Sequence, residues 1–140
     1  MGIELTFKDE SSAGLVERVP LEEISPLLRS AHDYTTFLRR AKEAGAEEAY
    51  VHYSVGKIGR NARTVDITGV SLNKRLNQKD IHEGRAFDCI GPGAIKYAEQ
   101  RSAEIKKLLG YRGDLYPIIF SPNPDRAIVD SRRELQHSFS

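Results

Sequence analysis

Residues 25–45, SPLLRSAHDYTTFLRRAKEAG, carry the clearest structural pattern in the chain. Ser25 suits a helix N-cap, Pro26 suits the first helical position, and Gly45 suits the position just after a helix end. Between these signals, apolar residues recur at spacings of three and four, which is typical of a helix with one buried face. The pattern therefore predicts a helix over residues 26–44.

Segments of alternating or continuous apolar character on both sides of this helix predict strands. The predicted strands are residues 3–7, 49–54, 85–90, 115–120, 127–129 and 134–139. A second helix is predicted over residues 93–109, because Gly91 and Pro92 precede it and Gly110 follows it. This order of elements indicates a small single domain of the α+β class, with an antiparallel sheet flanked by two main helices.

Composition narrows the classes of function. The 140 residues are 39% hydrophobic and 29% charged, which suits one globular core, and the net charge of +1 does not favour a nucleic-acid partner. The single cysteine, Cys89, excludes an intramolecular disulfide framework. The sequence contains no apolar run of membrane-spanning length and no signal-peptide pattern, so we expect no membrane span and synthesis in the cytoplasm.

Residues 55–79 form a basic stretch in this otherwise balanced sequence. It contains six Lys or Arg residues and one Asp, and its Gly and Asn content predicts a long loop. Such a loop is either a solvated surface segment or one wall of a cleft that binds something anionic.

Two short segments combine histidine with carboxylates. His82 precedes a predicted strand that contains Asp88, and Glu134 lies three residues before His137. Two imidazoles and one carboxylate suit a catalytic zinc ion, and a further Glu suits the general base that acts on its bound water. These residues therefore predict a hydrolytic zinc site.

The run HEGRAFD, residues 82–88, resembles the His-x-x-Gly-x-Ala-x-Asp signature of the zinc D-Ala-D-Ala carboxypeptidases, shortened by one residue. This family shares its fold with the Hedgehog signalling domain and includes phage endolysins. The closing Glu134-x-x-His137 is similar to the acid-x-x-His element of the same family. The resemblance implies a Hedgehog-type peptidase fold in which His82, Asp88 and His137 bind Zn²⁺ and Glu134 is the catalytic base.

The resemblance extends roughly from residue 25 to residue 140, which leaves residues 1–24 as an N-terminal arm. It implies an Arg upstream of the first His that steadies the substrate, for which Arg60 is the catalytic candidate and Arg63 a substrate-binding candidate. Asp80 stands where the family has a Ser two residues before that His, and so is also expected to face substrate. The implied function is a zinc metallopeptidase, of the D,D- or L,D-carboxypeptidase or endopeptidase type, that cleaves stem peptides of bacterial peptidoglycan. A phage or prophage enzyme of this kind acts on the cell wall after release or as part of a virion.

Two other functions remain open from the sequence. The same fold can serve as a non-catalytic virion or binding module, and a small nuclease or toxin domain can use the basic stretch for phosphate contacts. Ordinary structural roles also account for His82 as a solvated loop residue and for residues 134–137 as an amphipathic edge strand. His32 and His52 are interpreted as structural residues of the first helix and of a strand.

Overall fold

The computed structural model describes residues 2–28, 34–57, 62–88 and 92–118. These residues form six strands and four helices, which confirms the predicted α+β class. In chain order the elements are β1 (Ile3–Lys8), β2 (Ala13–Pro20), α1 (Leu21–Leu28), α2 (Tyr34–Glu43), β3 (Glu48–Lys57), β4 (Ala62–Ser71), α3 (Gln78–His82), β5 (Ala86–Phe87), α4 (Pro92–Leu109) and β6 (Asp114–Ile118).

The sheet has the strand order β1-β2-β3-β4, and two strands share the far edge of β4. β5 pairs with the end of β4, at Val70 and Ser71, whereas β6 pairs with its beginning, from Ala62 to Asp66. Every described pairing is antiparallel except that of β6, which runs parallel to β4. The predicted antiparallel sheet is therefore confirmed for β1 to β5 and wrong for β6. The physical reason is that α4 carries the chain back along the sheet, as a parallel connection requires.

The two faces of the sheet have different surroundings. One, called the helical face below, contributes Leu15, Val51 and Val65 to a core that includes residues of α1, α2 and α4. Phe37 of α2 meets Phe87 of β5 edge-on in this core, with ring centroids 4.9 Å apart. Residues that alternate with the core residues along β2 and β3 lie on the opposite face, called the outer face below.

A polar network crosses the helical face at Glu17 of β2. The Tyr53 hydroxyl donates to Glu17 Oε2 at 2.6 Å, and Arg101 Nε of α4 donates to both carboxylate oxygens at 2.9 and 3.0 Å. Arg101 Nη2 also donates to the Tyr97 hydroxyl at 3.1 Å. Burial, together with the Glu17 carboxylate, raises the pKa of Tyr53 far above its ordinary value, so this hydroxyl stays protonated as a donor. The network fixes α4 against β2.

The predicted helix over residues 26–44 is wrong in its boundaries. The structure has α1 ending at Leu28 and α2 beginning at Tyr34, and residues 29–33 lie outside the described part. Ser25 and Pro26 lie inside α1, because the helix starts directly after β2 with two glutamates in its first turn, where they favour the helix dipole. The predicted stop at Gly45 is confirmed, since its φ of 67° is the left-handed conformation of a helix C-cap.

The second predicted helix corresponds to α4, and Gly110 ends it with a φ of 67°. The predicted strand over residues 49–54 corresponds to β3, whereas only Ala86 and Phe87 of residues 85–88 form a strand. The predicted strands at residues 127–129 and 134–139 lie outside the described residues. Residues 3–8 and 13–20 of the predicted N-terminal arm form β1 and β2 of the same sheet. No helix among the described residues is long and apolar enough to cross a membrane.

The prediction of a long loop over residues 55–79 is wrong. Ten of these residues form β4, whose Val65, Ile67 and Val70 are buried in the core. A register shift relative to β3 occurs between Ile67 and Gly69, which breaks the alternation that would reveal the strand in the sequence. Residues 72–77 remain irregular, and they are called the crossing segment below.

Candidate functional site

Three of the predicted site residues lie on one small unit made of α3 and β5. Asp80 lies in the first turn of α3, His82 is its last residue, and Asp88 follows β5. The Asn77 side chain caps α3 by accepting a hydrogen bond from the Asp80 amide at 2.8 Å. Gly84 then reverses the chain with a φ of 76°, and a Cβ there would lie 2.4 Å from Thr36 Cγ2, so the unit docks closely on α2.

The described part of the predicted zinc site consists of His82 and Asp88, both of which are exposed. The third predicted ligand, His137, lies outside the described residues, as do Glu134 and Arg60. Within residues 2–28, 34–57, 62–88 and 92–118, no three His, Cys, Asp or Glu side chains are grouped closely enough to hold a metal ion.

The two predicted substrate-binding residues, Asp80 and Arg63, lie in different parts of the domain. Asp80 is only 5% exposed, and among the described residues its Oδ2 has no hydrogen-bond partner, so its carboxylate is shielded from solvent. Arg63 stacks over the Tyr111 ring at 5.4 Å and lines a small cavity of about 190 Å³ at the start of β4. At about 3.3 Å per residue, Arg63 lies roughly 23 Å along the strand from Val70, which pairs with β5. The structure therefore does not bring Arg63 to His82 or Asp88.

A larger cavity, with a volume of about 710 Å³, lies on the outer face of the sheet. It is called the groove below. Residues of β1 form one wall, and Lys74, Arg75 and Leu76 of the crossing segment form the other. The remaining lining comes from β2, β3 and β4, and the full set is Leu5, Thr6, Phe7, Gly14, Leu15, His52, Tyr53, Ser54, Thr68, Lys74, Arg75 and Leu76. Two of these described residues are cations and none is a carboxylate.

Two glycines allow apolar side chains to lie flat on the outer face. A Cβ on Gly14 would lie 2.1 Å from Phe7 Cε1, so the Phe7 ring rests directly on the β2 backbone. A Cβ on Gly69 would lie 2.8 Å from Leu76 Cδ2, so Leu76 rests on β4 in the same way. These contacts make Phe7 and Leu76 the apolar sides of the groove.

His52 and Ser71 hold the base of the crossing segment against the sheet. The Ser71 hydroxyl donates to the Asn73 carbonyl, and His52 Nε2 lies 2.7 Å from the same Ser71 Oγ. Burial lowers the pKa of His52, although the Asn73 carbonyl opposes this effect in part. The lowered pKa keeps His52 neutral at pH 7, where it helps to hold the crossing segment on the sheet.

Lys74 links the crossing segment to the edge strand β1. Its Nζ lies 2.9 Å from Glu4 Oε2, and both side chains remain more than half exposed. The hydrogen bond and the positive charge of Lys74 lower the pKa of Glu4. Arg18 lies beside this pair in an adjoining cavity of about 330 Å³, where its Nη2 donates to the Tyr50 hydroxyl at 2.8 Å.

Comparisons of the chain with protein-family models, curated proteins and solved structures find no match. Of the groove residues, the sequence pointed only to Lys74 and Arg75, through the basic stretch that was predicted to form a cleft wall. Phe7, Gly14 and Leu76 carry no such signal, because a single exposed aromatic residue or an isolated glycine is common in strands and turns.

Proposed function

We propose that this domain is a binding module for short acidic peptides, which it holds in the groove. The observation that carries the proposal is the lining of the groove, where the apolar side chains of Phe7 and Leu76 flank two exposed cations. A volume of about 710 Å³ lies within the usual range of ligand sites, roughly 300–1,000 Å³. The ligand would place carboxylates at Lys74 and Arg75 and an apolar side chain between Phe7 and Leu76.

The distribution of charge favours a peptide over a nucleic acid. The described cations of the groove lie on one wall only, whereas nucleic-acid sites align cations along a phosphate backbone. Ser54 and Thr68 add hydroxyl groups that can bond to peptide N–H or C=O groups. Cell-wall stem peptides, the partner implied by the sequence resemblance, combine free carboxylates with small apolar side chains and are therefore the first ligands to test.

Fluorescence anisotropy with a fluorescein-labelled stem tetrapeptide tests the proposal. We expect saturable binding, and Lys74→Ala or Arg75→Ala should each weaken it about fivefold, the equivalent of about 1 kcal/mol for an exposed charge contact. Lys107→Ala, which removes an exposed cation from α4, is the matched control and should bind as the wild type does. A tetrapeptide with amidated carboxylates should bind far more weakly.

Two results would count against this function. Absence of binding at millimolar peptide would reject it. Tighter binding of a labelled oligothymidylate than of the peptide, with strong salt dependence, would favour the nuclease or toxin alternative instead.

A second candidate is the zinc metallopeptidase implied by the sequence motif. The observation that favours it is that His82 and Asp88 are both exposed and flank the same Gly84 turn. In this candidate they would hold Zn²⁺ together with His137, while Glu134 would accept a proton and Arg60 would steady the substrate. Zinc, when bound, lowers the pKa of a water molecule enough for hydrolysis at neutral pH.

Elemental analysis of untagged protein distinguishes the two candidates. One zinc per chain that is lost in Asp88→Ala and kept in Glu99→Ala would support the peptidase. Glu99 is an exposed carboxylate of α4 and serves as the control. No zinc after incubation with the metal would reject the peptidase and leave the binding module unaffected.

A further inference from the structure

We infer that Glu4 is an internal competitor for the groove, and that it weakens the binding of ligands with two carboxylates while leaving ligands with one carboxylate unaffected. This inference rests on the proposed function, because it concerns the same groove. Glu4 Oε2 lies 2.9 Å from Lys74 Nζ, the position that a carboxylate of the ligand would take.

The two cations of the groove differ in their availability to a ligand. Within the described residues Lys74 is paired with Glu4, whereas the Arg75 guanidinium makes no ion pair. A ligand with one carboxylate can therefore bind at Arg75 and leave Glu4 in place. A ligand with two carboxylates gains the second contact only by displacing Glu4 from Lys74.

Displacement of Glu4 is physically easy. Both side chains of the pair are more than half exposed, and such pairs hold only weakly against water. Arg18 lines the same adjoining cavity as Glu4, and its charge adds to the positive field at the Glu4 carboxylate. Backbone pairing of Glu4 with Val16 keeps the carboxylate at the rim of the groove, where it can return once the ligand leaves.

Binding of two matched probes to Glu4→Gln tests this inference. The probes are the fluorescein-labelled stem tetrapeptide with two free carboxylates and the same peptide with one of them amidated. We expect E4Q to bind the two-carboxylate probe three- to fivefold more tightly than the wild type at low salt, and to bind the one-carboxylate probe unchanged. The gain should fade toward 1 M salt, where the screening length is about 3 Å.

Two control variants separate a local effect from a general one. Glu99→Gln removes the same charge from α4 and should not change either affinity. In the Lys74→Ala background E4Q should no longer strengthen binding, because the competing contact has already been removed.

Each outcome bears on one claim. No binding of either probe to the wild-type protein would reject the proposed function itself. Binding that E4Q leaves unchanged, an equal gain in E99Q, or a gain that persists without Lys74 would overturn the role of Glu4 while the groove remains a binding site.

Discussion

The substitution Gly14→Ala tests whether the β2 backbone supports one wall of the groove. The new Cβ would lie 2.1 Å from Phe7 Cε1, about 1.4 Å inside the ordinary carbon–carbon contact of about 3.5 Å. Because Phe7 is 55% exposed, its ring can swing into solvent instead of forcing the strands apart. We therefore expect the sheet to survive and the Phe7 wall to be lost.

The expected loss of stability follows from the buried area of the Phe7 ring that becomes exposed to solvent. A Phe side chain buries about 200 Å² when fully covered, so roughly 90 Å² would be exposed, at a cost of about 2 kcal/mol. Replacement of Gly by Ala restricts the unfolded chain and offsets roughly 0.4–1 kcal/mol of this. The net loss in the free energy of unfolding should be about 1–1.5 kcal/mol.

Gly69→Ala is the contrasting variant. Its Cβ would lie 2.8 Å from the Phe87 carbonyl oxygen, a backbone atom that cannot swing away. Overpacking of this kind should cost about 2–3 kcal/mol. Urea unfolding measures the loss of stability in both variants. Fluorescence anisotropy with the stem tetrapeptide should show about fivefold weaker binding to Gly14→Ala than to the wild type.

Phe7→Ala completes the test. If both substitutions act through the Phe7 ring, the double variant should bind the peptide about as weakly as Phe7→Ala alone. Wild-type affinity in Gly14→Ala, or a loss of stability as large as that of Gly69→Ala, would refute the proposed support of Phe7 by Gly14.

Three further predictions concern stability. Burial lowers the pKa of His52 below its ordinary 6.5, so the unfolded chain takes up this proton first and the free energy of unfolding should fall as the pH drops below about 6.5. His52→Gln should flatten that part of the pH profile of the urea midpoint. A profile that stays the same as that of the wild type would contradict the role assigned to His52. Glu17→Ala should lower the free energy of unfolding by about 3 kcal/mol, because it leaves the largely buried Arg101 without its carboxylate. A loss below about 1 kcal/mol in urea unfolding would show that the network adds little to stability. Phe37→Ala should lower the free energy of unfolding by about 4 kcal/mol, and with it the thermal midpoint, because the Phe37 ring is completely buried. A near-neutral effect would place α2 outside the core.

The parts of the fold that follow from local sequence signals were predictable. Periodic patterns of apolar residues mark α4 and the central strand β3. Glycines that act as caps within a few residues mark the end of α4 and the turn at Gly45. β4 was not predictable in this way. Its outer-face residues Thr64 and Asp66 are polar yet buried, and the irregularity near Thr68 interrupts the alternation.

The groove could be predicted only in part, because its walls are assembled by the sheet topology. The β1–β2 hairpin brings Phe7 onto Gly14, and the return of the chain after β4 brings Leu76 onto Gly69. The basic stretch indicated a cleft wall, but ten of its residues form the strand β4. The pairing of Lys74 with a residue of β1 depends on tertiary structure alone.

Nuclear magnetic resonance can show directly whether a stem peptide binds in the groove. Unlabelled stem tetrapeptide would be titrated into ¹⁵N-labelled protein while the backbone amide signals are followed. We expect progressive, saturable shifts for the amides of Gly14, Ser54, Thr68 and Leu76, with little change along α4. Shifts confined to residues outside the groove, or none at millimolar peptide, would contradict binding in the groove.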